Sequence, residues 1–126
     1  MKQISKSELI IMDVLWKKFP MGAADVAESV TDQKWNIRTV KTLLSRLVQK
    51  GILNTQQDGR RYLYSPILSK DEYGVKILNG ISESFYEGRN AALFLNLVKS
   101  NDLSSQDIDE ISALLEKLKA EKGQPQ

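Results

Sequence analysis

The chain has 126 residues, of which 41% are hydrophobic and 27% charged, the balance of a folded domain rather than of a disordered segment. It contains neither cysteine nor histidine, which excludes thiol nucleophiles, disulfides, Cys/His zinc sites and histidine bases, so we expect no enzyme, no metal site and no cofactor. The net charge of +2 is uneven, because residues 1–69 carry 11 Lys/Arg against 6 Asp/Glu whereas residues 70–126 carry 7 against 10, and a basic first half favours a nucleic-acid partner.

The N-terminal segment leads directly into helix signals. We therefore expect no signal peptide, and every apolar run is too short to span a bilayer, so we expect a cytoplasmic protein without membrane insertion. Ser5 and Glu8 have the spacing of a capping box, which predicts a first helix over residues 5–18 that stops before Pro20. Met21-Gly22 is predicted to open a second, shorter helix that ends near residues 30–33.

A third helix is predicted from the N-cap Asn36 through Lys50, before Gly51. Its apolar residues cluster on one side, which we expect to be buried: Ile37, Val40, Leu43, Leu44, Leu47 and Val48. The other side has no acidic residue: Arg38, Thr42, Ser45 and Gln49, with Thr39, Lys41 and Arg46 beside them. Such a surface suits a helix that binds in the DNA major groove, with hydroxyl and amide groups toward base edges and cations toward phosphates. An ordinary solvent-exposed amphipathic helix explains the pattern equally well.

Two strands are predicted over residues 52–57 and 61–67 around the turn signal Asp58-Gly59. Three helices followed by a hairpin with a basic tip are the element order of a winged helix-turn-helix domain, in which the hairpin, or wing, contacts the DNA backbone or minor groove. Arg60 and Arg61 would make those contacts, or would serve only to keep the turn soluble.

Three further helices are predicted after residue 69, over residues 71–87, over 91–98 and from Ser104 onward. The middle one is apolar on nearly every side, which implies burial. The three helices carry more apolar surface than a small winged-helix unit can cover, so we expect a twofold homodimer, the alternative being an extension folded back on its own chain. The candidate interface residues are Ile77, Ile81, Phe85, Leu93, Phe94, Leu97, Val98, Ile108, Ile111, Leu115 and Leu118.

The predicted fold is therefore mainly α with a small β wing. Residues 1–69 form a winged-helix DNA-binding domain, residues 70–122 a three-helix dimerisation domain, and residues 123–126 a disordered tail.

Several segments in order along the whole chain carry a family resemblance: residues 14–16 (VLW), 39–47 (TVKTLLSRL), 59–64 (GRRYLY) and 85–88 (FYEG), together with Lys50-Gly51, Leu95-Asn96 and Leu103-Ser104. With these segments the chain resembles the BlaI/MecI penicillinase-repressor family. It implies a homodimeric bacterial transcriptional repressor that binds a palindromic operator, upstream of resistance or stress genes. For such a repressor we expect Arg38, Thr39 and Thr42 to approach base edges, because the N-terminal part of the recognition helix enters the groove deepest. We expect backbone contacts from Trp35, Lys41, Ser45, Arg46, Arg60 and Arg61.

Two features limit what the resemblance implies. Members that respond to β-lactams are induced through a membrane sensor-protease and cleaved at an Asn-Phe bond in the fifth helix, where this chain has Asn96-Leu97. That pair is either a cleavage site or a polar residue within an apolar interface. Copper-responsive relatives carry a cysteine-rich motif, which a chain without cysteine cannot form.

Two other classes of protein compete with a DNA-binding repressor. A protein–protein adaptor on a winged-helix scaffold would show little salt-dependent affinity for DNA. A serine hydrolase is disfavoured, because Ser5, Ser45 and Ser65 have no histidine to activate them and the chain lacks a nucleophile-elbow motif.

Overall fold

The computed structural model describes residues 3–123 and contains six α-helices and a small antiparallel sheet. In chain order the elements are α1 (Lys6–Lys17), β1 (Met21–Gly22), α2 (Ala23–Ser29), a 3-10 turn (Thr31–Gln33), α3 (Ile37–Gln49), β2 (Leu53–Asp58), β3 (Arg61–Pro66), α4 (Lys70–Tyr86), α5 (Asn90–Ser100) and α6 (Ser105–Lys122). The predicted fold class, mainly helical with a β wing, is confirmed. Residues 124–126, most of the predicted tail, lie outside the described residues. Within residues 3–123, no helix combines the length and apolar composition needed to cross a membrane.

Helix starts follow the capping signals of the sequence. Ser5 accepts a hydrogen bond from the backbone N–H of Glu8, whose carboxylate accepts one from the N–H of Ser5. Ser104 and Asp107 form the same reciprocal pair before α6. Each pair satisfies two N–H groups that the first helical turn leaves without partners. The predicted helix boundaries therefore agree with the observed ones to within a few residues.

The second helix begins later than predicted. Met21 and Gly22 are not helical but form β1, which pairs antiparallel with β3 through Met21–Tyr64 and Gly22–Leu63. The sheet order is β1-β3-β2, so β3 is the central strand. A two-residue strand has no periodicity of its own, and its pairing depends on a partner more than forty residues later in the chain. This long-range contact overrides the local helix signal.

The chain divides into two compact units, the first ending at Gly80 and the second beginning at Ile81, both within α4. The domain boundary at residues 69/70 stays a prediction. In the first unit α1, α2 and α3 pack with the start of the wing around one apolar core. That core consists of Ile11, Met12, Leu15, Met21, Val26, Val30, Val40, Leu43, Leu44, Leu47, Ile52 and Leu53.

The second unit buries little of its own apolar surface. Between residues 81 and 123, Ser82 is the one buried side chain, and no residue of α5 or α6 is buried. The burial predicted for the fifth helix is therefore not found within a single chain. Phe85 is 78% exposed and Leu95 57% exposed.

Candidate nucleic-acid interface

The start of α3 is fixed by its N-cap. The side-chain oxygen of Asn36 accepts a hydrogen bond from the backbone N–H of Thr39 at 2.8 Å, as the sequence predicts. The helix ends at the C-cap Lys50, and Gly51 follows with a φ of 76°, a left-handed conformation that glycine adopts without strain. Both ends of α3 are thus defined by local chemistry.

One side of α3 is exposed and carries no carboxylate. Val40, Leu43, Leu44 and Leu47 are buried on the opposite side. The exposed side is an open surface lined by Ile37, Arg38, Lys41, Thr42, Ser45, Arg46 and Gln49. We call these residues the α3 face. The Thr42 hydroxyl donates to the carbonyl oxygen of Arg38 at 3.0 Å, so its oxygen still has lone pairs that can accept a hydrogen bond.

Three residues near the start of α3 are less simply placed than the rest of the candidate interface: Trp35, Ile37 and Thr39. Ile37 was predicted on the buried side, yet it is 44% exposed and belongs to the α3 face. As the first residue of the helix, it precedes the turns that pack on the core. Thr39, predicted to approach base edges, is half-buried, and Trp35 is half-buried and packs against the core. Among the residues named for base edges, Arg38 and Thr42 are the exposed ones.

The wing tip differs from the predicted turn by one residue. Asp58 pairs with Arg61 in the β2–β3 ladder, so the turn residues are Gly59 and Arg60 rather than Asp58 and Gly59. Gly59 has a φ of 65°, as the first central residue of a type II′ hairpin turn requires. The carboxylate of Asp58 accepts hydrogen bonds from two nitrogens of Arg61, at 3.3 and 3.2 Å. Arg60 is exposed at the tip and, within residues 3–123, makes no ion pair.

A groove connects α3 to the wing. Its lining brings Lys41 together with Arg60 and Arg61, residues that are about twenty positions apart in the chain. Tyr62 and Tyr64 line the wing side and the first turn of α2 lines the other, where Asp25 contributes the one carboxylate. The predicted basic residues of α3 and of the hairpin therefore lie on one continuous, predominantly cationic surface, as a duplex backbone requires. The tyrosines are a part of this groove that the sequence did not indicate.

A buried ion pair holds the far end of α3. Glu8 on α1 is 1% exposed, and its carboxylate accepts a hydrogen bond from the ammonium of Lys50 at 2.5 Å. Lys50 also donates to the carbonyl oxygen of Gln3 at 2.8 Å. Burial alone would raise the pKa of Glu8, but the hydrogen bonds from Lys50 and from the Ser5 backbone outweigh it and lower the pKa. The sequence predicted Glu8 only as a capping residue, because a contact across 42 positions leaves no local signal.

In the second unit, Asn96 makes side-chain hydrogen bonds. Its amide nitrogen donates to the hydroxyl of Tyr86 at 2.7 Å, and its oxygen accepts from the Ser100 hydroxyl at 3.4 Å. Leu97, the next residue, is 47% exposed on α5. The Asn96-Leu97 bond thus lies within a regular helix whose side chains are accessible in the single chain.

Comparisons with known proteins agree with this geometry. The sequence model of the family described as "Penicillinase repressor" matches residues 4–117. The chain is 31% identical to the penicillinase repressor of Bacillus licheniformis over 95% of this chain and 94% of that protein. It is 29% identical to the methicillin resistance regulatory protein MecI of Staphylococcus aureus strain N315, over 91% and 94%. The solution structure of the DNA-binding domain of the repressor BlaI superposes with a TM-score of 0.50 at 34% identity, covering 58% of this chain and 94% of that one.

Proposed function

This chain belongs to the penicillinase repressor family, and we propose that it represses transcription as a homodimer bound to a palindromic operator. Like its relatives, it is a DNA-binding transcriptional repressor and not an enzyme. The observation that carries the finer proposal is the acid-free α3 face, which continues through Lys41 into the cationic groove under the wing.

Each part of this surface has a role in the proposed complex. Arg38 and Thr42 approach base edges in the major groove, with Thr39 at the margin of the contact. Lys41, Ser45, Arg46 and Arg60 contact phosphates, and Trp35 packs beside the backbone. Arg61 also contacts a phosphate, which replaces Asp58 as its ion-pair partner. The pair with Asp58 is weak, because both side chains are exposed to water.

The second unit supports the homodimer. Between residues 81 and 123, ten large apolar side chains are at least 36% exposed in the single chain: Ile81, Phe85, Phe94, Leu95, Leu97, Val98, Ile108, Leu114, Leu115 and Leu118. Most of them belong to the predicted interface. Monomeric proteins rarely leave so many large apolar side chains of one compact unit exposed, and a second copy would cover them with the same residues under twofold symmetry. Two copies then present two α3 faces, one to each half of the palindrome.

The regulated genes divide the proposal into two candidates. The first is control of β-lactam resistance genes, as the names of the relatives suggest, with the release through a membrane sensor-protease that the family resemblance implies. The second is control of other stress genes without cleavage. Two observations favour the second: leucine stands after Asn96, and the Asn96 amide is engaged by Tyr86 and Ser100 within a helix.

The experiment measures binding of the purified protein to the duplex upstream of its own gene and to a random duplex, at several salt concentrations. We expect Thr42→Ala to reduce discrimination between the two duplexes by about 1 kcal/mol, because it removes a single hydrogen bond to a base edge. We expect Arg60→Ala to weaken binding to both duplexes equally, because it removes one phosphate contact. The slope of log affinity against log salt concentration should decrease in magnitude by about 1. Arg89→Ala, which removes an exposed arginine of the second unit, is the control. Equal losses on both duplexes for Thr42→Ala would contradict its role, and salt-independent or absent binding would favour the adaptor.

A further inference from the structure

A cavity of about 160 Å³ lies at the C-terminal end of α3, at the other end of the helix from Arg38. Its lining belongs entirely to the first compact unit: Trp16, Lys50, Gly51, Ile52, Leu68, Tyr73 and Lys76. Lys50 and Gly51 end α3. None of the other lining side chains has a role in the proposed DNA complex or in the predicted dimer interface.

The walls of the cavity are aromatic and aliphatic. The rings of Trp16 and Tyr73 stand 6.2 Å apart, centroid to centroid, and are inclined by 42°. The indole N–H of Trp16 donates to the carbonyl oxygen of Leu68 at 3.0 Å, so the polar edge of this ring is satisfied. The ammonium of Lys70, which pairs with Asp13, lies 5.9 Å from the centroid of the same ring. An apolar cavity of roughly 150 Å³ accommodates a benzene ring. The size therefore suits a ligand with one ring.

The charge on the cavity lining is positive. No carboxylate lines it, whereas two lysines do. The ammonium of Lys50 is committed to Glu8 and to the Gln3 carbonyl. Lys76 is exposed and forms no ion pair with any residue between 3 and 123. One positive charge therefore remains for a ligand, beside an apolar volume.

We propose that this cavity is an effector site for a small carboxylate with a single ring, the ring packing on Trp16 and Tyr73 and the carboxylate contacting Lys76. The site contacts the last residues of the helix that carries the α3 face. If the two ends of α3 move together, the ligand has different affinities for the free and the DNA-bound protein. That difference in affinity shifts the DNA-binding equilibrium. This linkage rests on the proposed function, whereas the binding site itself does not.

Benzoate is the first probe, with the neutral benzamide as its isostere. The chain has two tryptophans, so ¹H–¹⁵N spectra of the labelled protein resolve two indole signals. Benzoate should shift the Trp16 signal saturably in the millimolar range and leave that of Trp35 unchanged. Lys76→Gln should lower the affinity for benzoate roughly fivefold, the upper range for an exposed ion pair, and should leave the affinity for benzamide unchanged. Lys99→Gln, which removes an exposed lysine of the second unit, should leave benzoate affinity within twofold. No saturable shift of Trp16, or equal benzoate affinity in Lys76→Gln, would overturn the site.

The linkage is tested with the upstream duplex. Saturating benzoate should change the dissociation constant for the duplex, and the duplex should change that for benzoate by the same factor. Factors of one in both titrations would overturn the effector role while leaving the ligand site intact. Failure of the ligand-free protein to bind any duplex would overturn the proposed function instead, and the Trp16 titration would still decide the site.

Discussion

Replacing Lys50 by methionine tests the contact that fixes the end of α3 to α1. The variant keeps the length of the side chain but removes the ammonium from a carboxylate that is 1% exposed. Removing one partner of a buried ion pair costs about 3–5 kcal/mol, because the remaining charge stays buried without compensation. The Lys50 side chain is 26% exposed, so water can replace part of the lost interaction. We therefore expect a loss of about 3 kcal/mol in the free energy of unfolding.

Urea denaturation at pH 7 measures this loss. The protein concentration is held fixed, because the proposed dimerisation would make stability depend on concentration. Lys50→Met combined with Glu8→Gln should recover most of it, because the double variant buries no unpaired charge and glutamine can still accept from the Ser5 N–H. Lys41→Met, an exposed position on the same helix, should change stability by less than about 0.5 kcal/mol. A Lys50→Met variant as stable as Lys41→Met, or a double variant no more stable than Lys50→Met, would refute the reasoning.

Three further predictions concern the same framework. Because the pKa of Glu8 is lowered, the unfolded chain binds more protons than the folded one as the pH falls below about 4.5, and the free energy of unfolding decreases. Glu8→Gln should show a smaller decrease when urea denaturation is repeated at acid pH. Asn36→Ala should cost about 1 kcal/mol of unfolding free energy, whereas Asn36→Ser should keep most of it, and equal losses would contradict the capping role. Phe85→Asp should sediment as a monomer and keep its helicity by circular dichroism, because this ring is 78% exposed in the single chain. The control Phe19→Asp, at a 57% exposed position in the first unit, should stay dimeric. A Phe85→Asp variant that remains dimeric would place the interface elsewhere.

Local signals predicted most of the fold. Ser5, Asn36 and Ser104 each cap a helix at the predicted position, because capping depends on residues three positions apart. The hairpin was predicted for the same reason, although the choice between Asp58-Gly59 and Gly59-Arg60 as turn residues depends on which cross-strand pair closes the ladder. That pairing is a property of both strands, so the dipeptide alone placed the turn one residue too early.

The features that the sequence missed depend on contacts between distant residues. β1 exists because Met21 and Gly22 meet β3, and Glu8 is buried because Lys50 reaches it from the end of α3. Ile37 has the periodicity of a core residue but lies where α3 begins, before the helix packs on its neighbours. The α3 face was predicted from periodicity and the absence of carboxylates, whereas the groove that joins it to the wing required the folded sheet.

Sedimentation velocity of the purified protein with a fluorescent duplex from the region upstream of its own gene tests the central claim most directly. At low salt the duplex should sediment with two copies of the chain and should return to the rate of free DNA as salt is raised, because phosphate contacts release counterions. A protein that sediments as a monomer, beside a duplex that it leaves free even in dilute buffer, would contradict the account.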